Sequence, residues 1–455
     1  MQKKLNRRTF MKLTAACSMA GLIPNITNCA NKKSTRPNII FILADDLGYG
    51  DLGCYGQKKI KTPNIDQLAN EGMLFTQCYA GATVCAPSRS TLMTGQHTGH
   101  TRVRANKGKV GGIGPERRVP LVPEDVTVAE VLKKANYVTG ITGKWGLGEP
   151  DSDGIPNRQG FDEWFGYLNQ KKAHSYYPTY LWRNEEKEIL HGNADGKKQQ
   201  YTHDMFTEYA LDFIGRHKEK PFFLYLPYTV PHAKYEIPDL GIYKEKDWPE
   251  DAKVHAAMIT LLDTDVGRII SLLKELNLDQ NTIVFFCSDN GAARRWEGLF
   301  DSSGILRGRK RDMYDGGIRT PMIVRYPKKI PAGVVSEQIW YFPDVLPTMA
   351  DLAGVESPGN IDGISLLPTL MGKDQDISDR YLYWEIFEPG FRQAARRGKW
   401  KVVRSDYGKP LELFDLSVDP SEKTNVANEH PAVIRDFEVF MKTARTESPN
   451  WPLNA

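Results

Sequence analysis

Along residues 36–375 of this 455-residue chain, short apolar runs alternate with stretches whose apolar positions recur every three to four residues. The run Asn38–Ala44 is continuous, rich in isoleucine, and stops at Asp45 and Asp46. A strand without polar alternation has both faces covered, the condition of a strand inside a parallel sheet. Runs of the same kind lie at 137–142, 222–226, 282–287 and 321–324, and segments of helical period fall at 64–71, 127–134, 202–214 and 254–276. Alternation at this spacing predicts an α/β fold, a mostly parallel sheet with helices on both faces. Ligands of such sheets bind beyond the carboxyl ends of the strands. That points to Asp45-Asp46, Gly143-Lys144, His232 after the turn 227–231, and Ser288-Asp289-Asn290-Gly291.

The texture changes near residue 376. Segments 381–386, 399–403 and 411–416 alternate like antiparallel strands, and a final helix is predicted at 432–443. Residues 376–455 therefore read as a small α+β subdomain with an antiparallel sheet, packed on a larger domain of 36–375. With 25% charged and 40% hydrophobic residues, the chain has a soluble globular composition, and disordered and membrane-embedded classes are excluded. The net charge is +4, but Lys3, Lys4, Arg7, Arg8 and Lys12 supply five positive charges in the first 28 residues, leaving −1 for the rest. Nothing in that balance supports a nucleic-acid partner.

Residues 1–30 have the form of an export signal, with a basic start, the pair Arg7-Arg8 and an apolar run at 13–23 too short to span a bilayer. A twin-arginine signal and an ordinary secretory signal holding two arginines both fit. Cys29 is a candidate lipidation site, although Asn28 before it suits that role poorly. Export to the periplasm or cell surface is expected, with no transmembrane span. Past the leader, Cys54, Cys78, Cys85 and Cys287 show no C-x-x-C spacing and are too few for a disulfide framework.

Asp45, Asp46, Asp289 and Asn290 place hard oxygen donors at two strand ends. Neighbouring carboxylates repel unless a cation sits between them, and an all-oxygen set favours Ca²⁺ or Mg²⁺ over zinc. The same residues are also those of ordinary turns. Residues 88–93 look helical, with Pro87 in the first turn. Cys85 then stands at the positive end of the helix and Arg89, four residues on, shares its face. This is a nucleophile beside an anion-binding guanidinium or, more plainly, a buried cysteine before a helix. His255, Asp263 and Asp265 on the 254–276 helix read as solvated or capping, and Asp344 and Asp362 as caps or turn residues.

Cys85-x-Pro87-x-Arg89, continuing as Ser90-Thr91-Leu92-Met93-Thr94-Gly95, is similar to the signature of the type I sulfatases, whose cysteine is converted to Cα-formylglycine. Pro37-Asn38-Ile39-Ile40 through Gly48-Tyr49-Gly50, Thr62-Pro63-Asn64-Ile65-Asp66, Gly143-Lys144-Trp145, Ser288-Asp289-Asn290-Gly291 and Tyr314-Asp315-Gly316-Gly317-Ile318-Arg319-Thr320-Pro321 resemble the family in its order. Leu413-Phe414-Asp415-Leu416 with Asp419-Pro420 is similar to its C-terminal domain. The likeness runs from about residue 36 almost to the end. It implies the alkaline-phosphatase-like sandwich, with a large mixed, mostly parallel sheet flanked by helices, and a sulfatase catalytic domain at 36–375. It also implies hydrolysis of sulfate esters with a bound Ca²⁺. By position Asp45, Asp46, Asp289 and Asn290 match the metal ligands, with Cys85 as a fifth. Arg89, Lys144 and Lys310 match the sulfate-contacting cations, and His232 a histidine near the leaving group.

An aldehyde at residue 85 hydrates to a geminal diol, one hydroxyl of which attacks sulfur while Ca²⁺ and Arg89 lower its pKa. Deprotonating the second hydroxyl then expels sulfate, an exit a plain thiol lacks. A formylglycine-generating or anaerobic sulfatase-maturating enzyme is the implied partner. One position departs from the family, which often has Gly-Lys-Trp-His-Leu-Gly where this chain has Gly143-Lys144-Trp145-Gly146-Leu147-Gly148. Either His174 or His97 replaces the missing histidine, or the second hydroxyl loses its proton by another route. The segment 169–178, with Trp182 and Arg183 after it, offers aromatic faces for sugar stacking, with Gln170 and His174 to read hydroxyls. A packed surface loop is the plain alternative. The expected substrate is a sulfated carbohydrate of galactose type. The competing readings are a phosphonate or phosphate monoester hydrolase of the same superfamily, and a non-catalytic binder of sulfated glycans in which Cys85 stays unmodified.

Overall fold

The structure is a computed structural model and describes residues 36–453. Arg7, Arg8 and Cys29 lie outside the described residues, among which no helix is long and apolar enough to cross a membrane. Strands β1 (Asn38–Ala44), β2 (Met73–Tyr79), β3 (Val138–Lys144), β4 (Glu163–Tyr167), β5 (Tyr180–Arg183), β6 (Glu186–Ile189), β7 (Phe222–Pro227), β8 (Thr282–Ser288), β9 (Arg319–Arg325), β10 (Val334–Ser336) and β11 (Trp340–Tyr341) build one sheet. Its order is β10-β2-β9-β8-β1-β7-β3-β4-β5-β6, with β11 also on β2. Strands β8, β1, β7, β3 and β4 are mutually parallel, so their carboxyl ends share one edge.

The apolar continuity of β1 follows from two covered faces. Ile39, Phe41 and Leu43 enter the core layer beneath the helices Cys85–Thr94, Val128–Lys133 and Val345–Ala353. Ile40, Ile42 and Ala44 enter the layer beneath Pro63–Asn70, Thr202–His217 and Glu250–Glu275. One expectation is corrected here. The run 321–324, read as a parallel strand like the others, lies in β9 and runs antiparallel to both β8 and β2. Burial on both faces makes any central strand apolar, whichever way it points, so composition did not carry its direction.

After the main sheet, β12 (Tyr381–Ile386), β13 (Arg392–Arg397), β14 (Trp400–Arg404) and β15 (Glu412–Asp415) form an antiparallel sheet in sequence order. Three strands were expected. The fourth, β13, has the unpromising sequence Arg-Gln-Ala-Ala-Arg-Arg and is held by ladders on both sides. One face of this small sheet packs Tyr383, Val402 and Leu413 against Phe437 and Met441 of the helix Pro431–Thr443. The other packs Leu382, Trp384 and Phe414 against Tyr79, Val84 and Ile318.

The solvated reading of the Glu250–Glu275 helix polars is also corrected, because the helix is covered on both flanks and all three are buried. Asp263 accepts from the Ile65 N–H at 2.7 Å and caps the neighbouring helix instead of its own. Asp265 pairs with His203 at 3.0 Å, and His255 faces Asp51 at 3.7 Å. Asp344 is a true cap, accepting from the Tyr341 N–H at 2.8 Å. Asp362 accepts from the His97 N–H at 2.8 Å.

A buried ion cluster ties the small sheet to the main one. Lys401 Nζ stands 2.6 Å from Asp315 and 2.7 Å from Glu422, and the Asp315 N–H donates to Glu422 at 2.7 Å. Burial pushes Asp315 up, but Lys401, Arg319 and Arg396 outweigh it and hold the carboxyl at about 2. Burial together with the adjacent Asp315 charge pushes Glu422 to about 7 against the pull of Lys401. In the unfolded chain Glu422 ionises near its ordinary 4.5, whereas the folded protein keeps the proton up to about 7. Its contribution to stability therefore falls as pH rises through that window and stays low above it. Glu422→Gln should flatten this slope, measured as urea midpoints at pH 5, 6 and 7.

Candidate active site

Cys85 is the first residue of the helix Cys85–Thr94, which follows β2 and is buried along its whole length. Arg89, one turn on, faces the carboxyl edge of the sheet. Its Nε and Nη2 donate to Asp289 Oδ2 at 3.1 and 2.8 Å, and its Nη1 donates to the Lys144 carbonyl at 2.6 Å. Lys144, the last residue of β3, reaches Asp45 at 2.5 Å. The Cys85 thiol donates to Asp45 at 3.3 Å and receives Lys310 Nζ at 3.4 Å. Lys310 also stands 2.6 Å from Asp46. It belongs to the long β8–β9 connection, pinned where the Lys310 N–H meets the Ala292 carbonyl and the Arg311 N–H meets that of Thr83, both at 2.9 Å.

Asp46 takes φ 65°, a left-handed conformation that side chains other than glycine rarely adopt. The twist lets two successive carboxylates converge, and ligand atoms of Asp45, Asp46, Cys85 and His232 all lie within 4.8 Å of one another. Asn290 donates to Asp46 at 2.7 Å, while its buried Oδ1 has no hydrogen-bond partner among the described residues. The Asp46 N–H reaches Asp289 Oδ1 at 3.2 Å, and His232 Nε2 lies 3.4 Å from Asp46. All nine residues named for chemistry thus meet at one edge. Gln170 and His174 join Asp46, Cys85, His232 and Lys310 around a cavity of about 360 Å³.

The electrostatics set each protonation state. Burial pushes Asp45 up, yet Lys144, His232, Arg89 and Lys310 outweigh it and hold the carboxyl well below its ordinary range. Burial and the Asp45 charge push Asp289 to about 6, with Arg89 opposing. Burial, with Asp289 and Asp45 beside it, pushes the Cys85 thiol to about 12. The helix terminus does not overcome this, so the thiol is not poised as a thiolate at neutral pH. Burial also drives His174 to about 3, helped by His232, on which it stacks with ring centroids 4.2 Å apart.

Two sequence readings change. The aromatic residues of the 169–178 loop do not line the cavity that holds Cys85. Tyr176 is fully buried with its hydroxyl donating to the Thr229 and His232 carbonyls, and Tyr177 packs on Tyr201. His97 stacks on His100 and faces Asp362 at 3.6 Å, in a cluster sharing no contact with Cys85. Of the two histidines weighed for the missing position, only His174 lies at the cavity. The rim that sequence reasoning missed consists of Asn106, Lys107, Glu116, Arg118, Arg311 and Glu388. None of these directly follows the carboxyl end of a parallel strand of the main sheet, and Glu388 sits in the turn between β12 and β13, so the strand-end rule had no purchase on them.

The fold and this edge of carboxylates, cations and one helix-terminal cysteine define a hydrolase of the alkaline-phosphatase-like class. The sulfatase family model matches residues 37–355, and a model described as N-sulphoglucosamine sulphohydrolase, C-terminal, matches 307–445. The chain is 36% identical to the N-acetylgalactosamine-6-sulfatase of Canis lupus familiaris, covering 86% of this chain and 76% of that protein. It is 31% identical to the N-acetylgalactosamine-6-O-sulfatase of Bacteroides thetaiotaomicron, covering 93% and 98%. The solved complex of Ps i-CgsB with k-i-k-neocarrahexaose superposes with a TM-score of 0.80 at 30% identity, over 92% of this chain and 95% of that one. The chain belongs to the sulfatase family, enzymes that hydrolyse sulfuric esters.

Arg89 neutralises the fully buried Asp289 and is itself fully buried. Arg89→Ala should therefore cost about 3–5 kcal/mol of unfolding free energy, because it strands a carboxylate in the interior. Urea denaturation of the metal-free protein would measure it.

Proposed function

We propose that this protein is an exported sulfatase of sulfated carbohydrates that works through a formylglycine made from Cys85 and one bound Ca²⁺. The observation that carries the reading is the convergence of three buried carboxylates and three buried cations on a single cysteine whose thiol is held protonated. The catalytic part is 36–375 and the C-terminal α+β subdomain 376–455. A formylglycine-generating or anaerobic sulfatase-maturating enzyme is the required partner, and residues 1–30 carry the export signal.

The residues present fit the ion. Asp45, Asp46, Asp289 and Asn290 form an all-oxygen set, one carboxyl of which is pushed up to about 6 by burial and by the neighbouring Asp45 charge. The unpartnered Asn290 Oδ1 is a buried acceptor awaiting a cation. These four would hold Ca²⁺, with residue 85 as a fifth ligand. When bound, the ion supplies Lewis-acid polarisation of the sulfate group. As formylglycine, residue 85 supplies a hydrated aldehyde with one hydroxyl to attack sulfur and another to release it.

The chain's own residues do the rest. Arg89, Lys144 and Lys310 now spend their charge on carboxylates. Neutralising those carboxylates frees the three cations to hold a sulfate monoanion and to screen its oxygens in the transition state. With Nδ1 donating to the Ala233 carbonyl, His232 Nε2, 3.4 Å from Asp46, is the atom that exchanges a proton at the cavity wall. It delivers one as the imidazolium, which burial disfavours and Asp46 favours. Gln170 and His174 line the same wall and face the sugar. A galactose-type sugar is the preferred substrate, supported by the two N-acetylgalactosamine sulfatases among the relatives.

The test is a peptide mass spectrum across residue 85 taken with sulfate release from N-acetylgalactosamine 6-sulfate, before and after exhaustive chelation. Formylglycine at residue 85, loss of turnover on chelation and return with Ca²⁺ are expected, and Asp289→Ala should lose orders of magnitude in rate. Unmodified Cys85 in fully active protein, or full activity without metal, overturns the reading. A sugar alkoxide needs a proton to leave and a nitrophenolate does not. His232→Ala should accordingly depress kcat on the sugar sulfate at least tenfold more than on 4-nitrophenyl sulfate, and equal losses would remove this role.

A further inference from the structure

Gln170 is 3% exposed, and neither its Nε2 nor its Oε1 has a hydrogen-bond partner among the described residues. A buried carboxamide left empty on both its donor and its acceptor is costly, and native proteins rarely retain one without a use. The charged groups around it are already engaged. Lys107 and Lys171 pair with Glu116 at 3.0 and 3.2 Å, and Arg118 pairs with Glu149 at 3.2 Å. Asn106 accepts from the Ala86 N–H at 3.0 Å. Gln170 brings an unpartnered donor and an unpartnered acceptor to the lining of the cavity that holds Cys85, beside the neutral His174 ring.

The space Gln170 fills is set by Gly146. A Cβ on residue 146 would fall 2.1 Å from Gln170 Nε2 and 2.9 Å from its Cδ. Gly146 also has φ 81°, where any side chain is strained. This is the position at which the family resemblance calls for a histidine, so a bare backbone at 146 and a glutamine at 170 form a matched pair. The strand end at Lys144 contributes no side chain there, and the cavity wall is completed from Gln170 instead.

The ligand chemistry follows from what is missing. Oε1 needs a proton donor, which neither a sulfate ester nor an aryl ring offers, and Nε2 needs an acceptor. Two adjacent sugar oxygens, at least one a free hydroxyl, satisfy both at once. We propose that Gln170 is a specificity-determining residue that grips such a pair on the sugar carrying the sulfate, and that Gly146 is kept bare to admit it. This deepens the sulfatase reading and rests on it. It restricts the substrate to carbohydrate sulfates with unsubstituted neighbouring hydroxyls.

The experiment separates the two claims. Binding of N-acetylgalactosamine 6-sulfate and of its 3,4-dideoxy analogue to the full-length Cys85→Ser protein is measured by calorimetry, without turnover. The dideoxy analogue should bind roughly 10- to 100-fold more weakly. Gln170→Ala should erase that difference. Gly146→Ala should erase it too, because its methyl lands on the Gln170 amide while Gln170 stays in the chain. Equal binding of the two ligands to the Cys85→Ser protein, or a preference that survives Gln170→Ala, overturns the assignment. Release of sulfate from 4-nitrophenyl sulfate by the wild-type protein, which needs no sugar hydroxyl, reports on the sulfatase reading alone.

Discussion

Because Ala44 pairs with Ser288 in a ladder without offset, the residues that follow, Asp45-Asp46 and Asp289-Asn290, leave the sheet side by side. The Asp289 N–H continues the ladder by one rung to the Ala44 carbonyl at 3.0 Å. A slip of one residue would turn every side chain of β1 to the opposite face and part the carboxylates. Burial of both strands on both faces makes such a slip prohibitively costly. The cations then arrive from three separate directions: Lys144 from two strands away, Arg89 from the helix behind, and Lys310 from the long connection on the far side.

Collecting three carboxylates and three cations in the interior is not a way to gain stability. Each ion gives up hydration worth several kcal/mol, which attraction offsets only when every lone pair finds a donor. The arrangement here meets that condition narrowly. Asp289 has two donors from Arg89 and one from backbone, but its proton is still lost only near pH 6. The surrounding fold, with β1, β7 and β8 buried throughout, supplies the apolar stability that such a cluster consumes.

The sequence made the central frame legible because apolar runs with abrupt polar stops are visible in one dimension. Asp45, Lys144 and Asp289 could be picked out simply as stops. The signature around Cys85 and Arg89 added the one helix whose role depends on tertiary placement. Other features were hidden for physical reasons. The direction of β9 rests on its neighbours, β13 is a strand only because ladders on both sides impose it, and the burial of Tyr176 depends on carbonyls more than fifty residues away. The steric exclusion between Gly146 and Gln170 is likewise invisible until two loops meet.

The depth of Cys85 has a consequence in time. The residue is 2% exposed, beneath Lys310 and beside a rim that includes Glu388. Those covering residues are synthesised more than two hundred positions later. Throughout that interval the thiol lies on an unfinished chain, and once Lys310 and the small sheet have docked only what fits the cavity of about 360 Å³ reaches it. A protein that was to act on residue 85 would therefore have to reach it before folding closes over it, and the speed of folding would set how long that opportunity lasts.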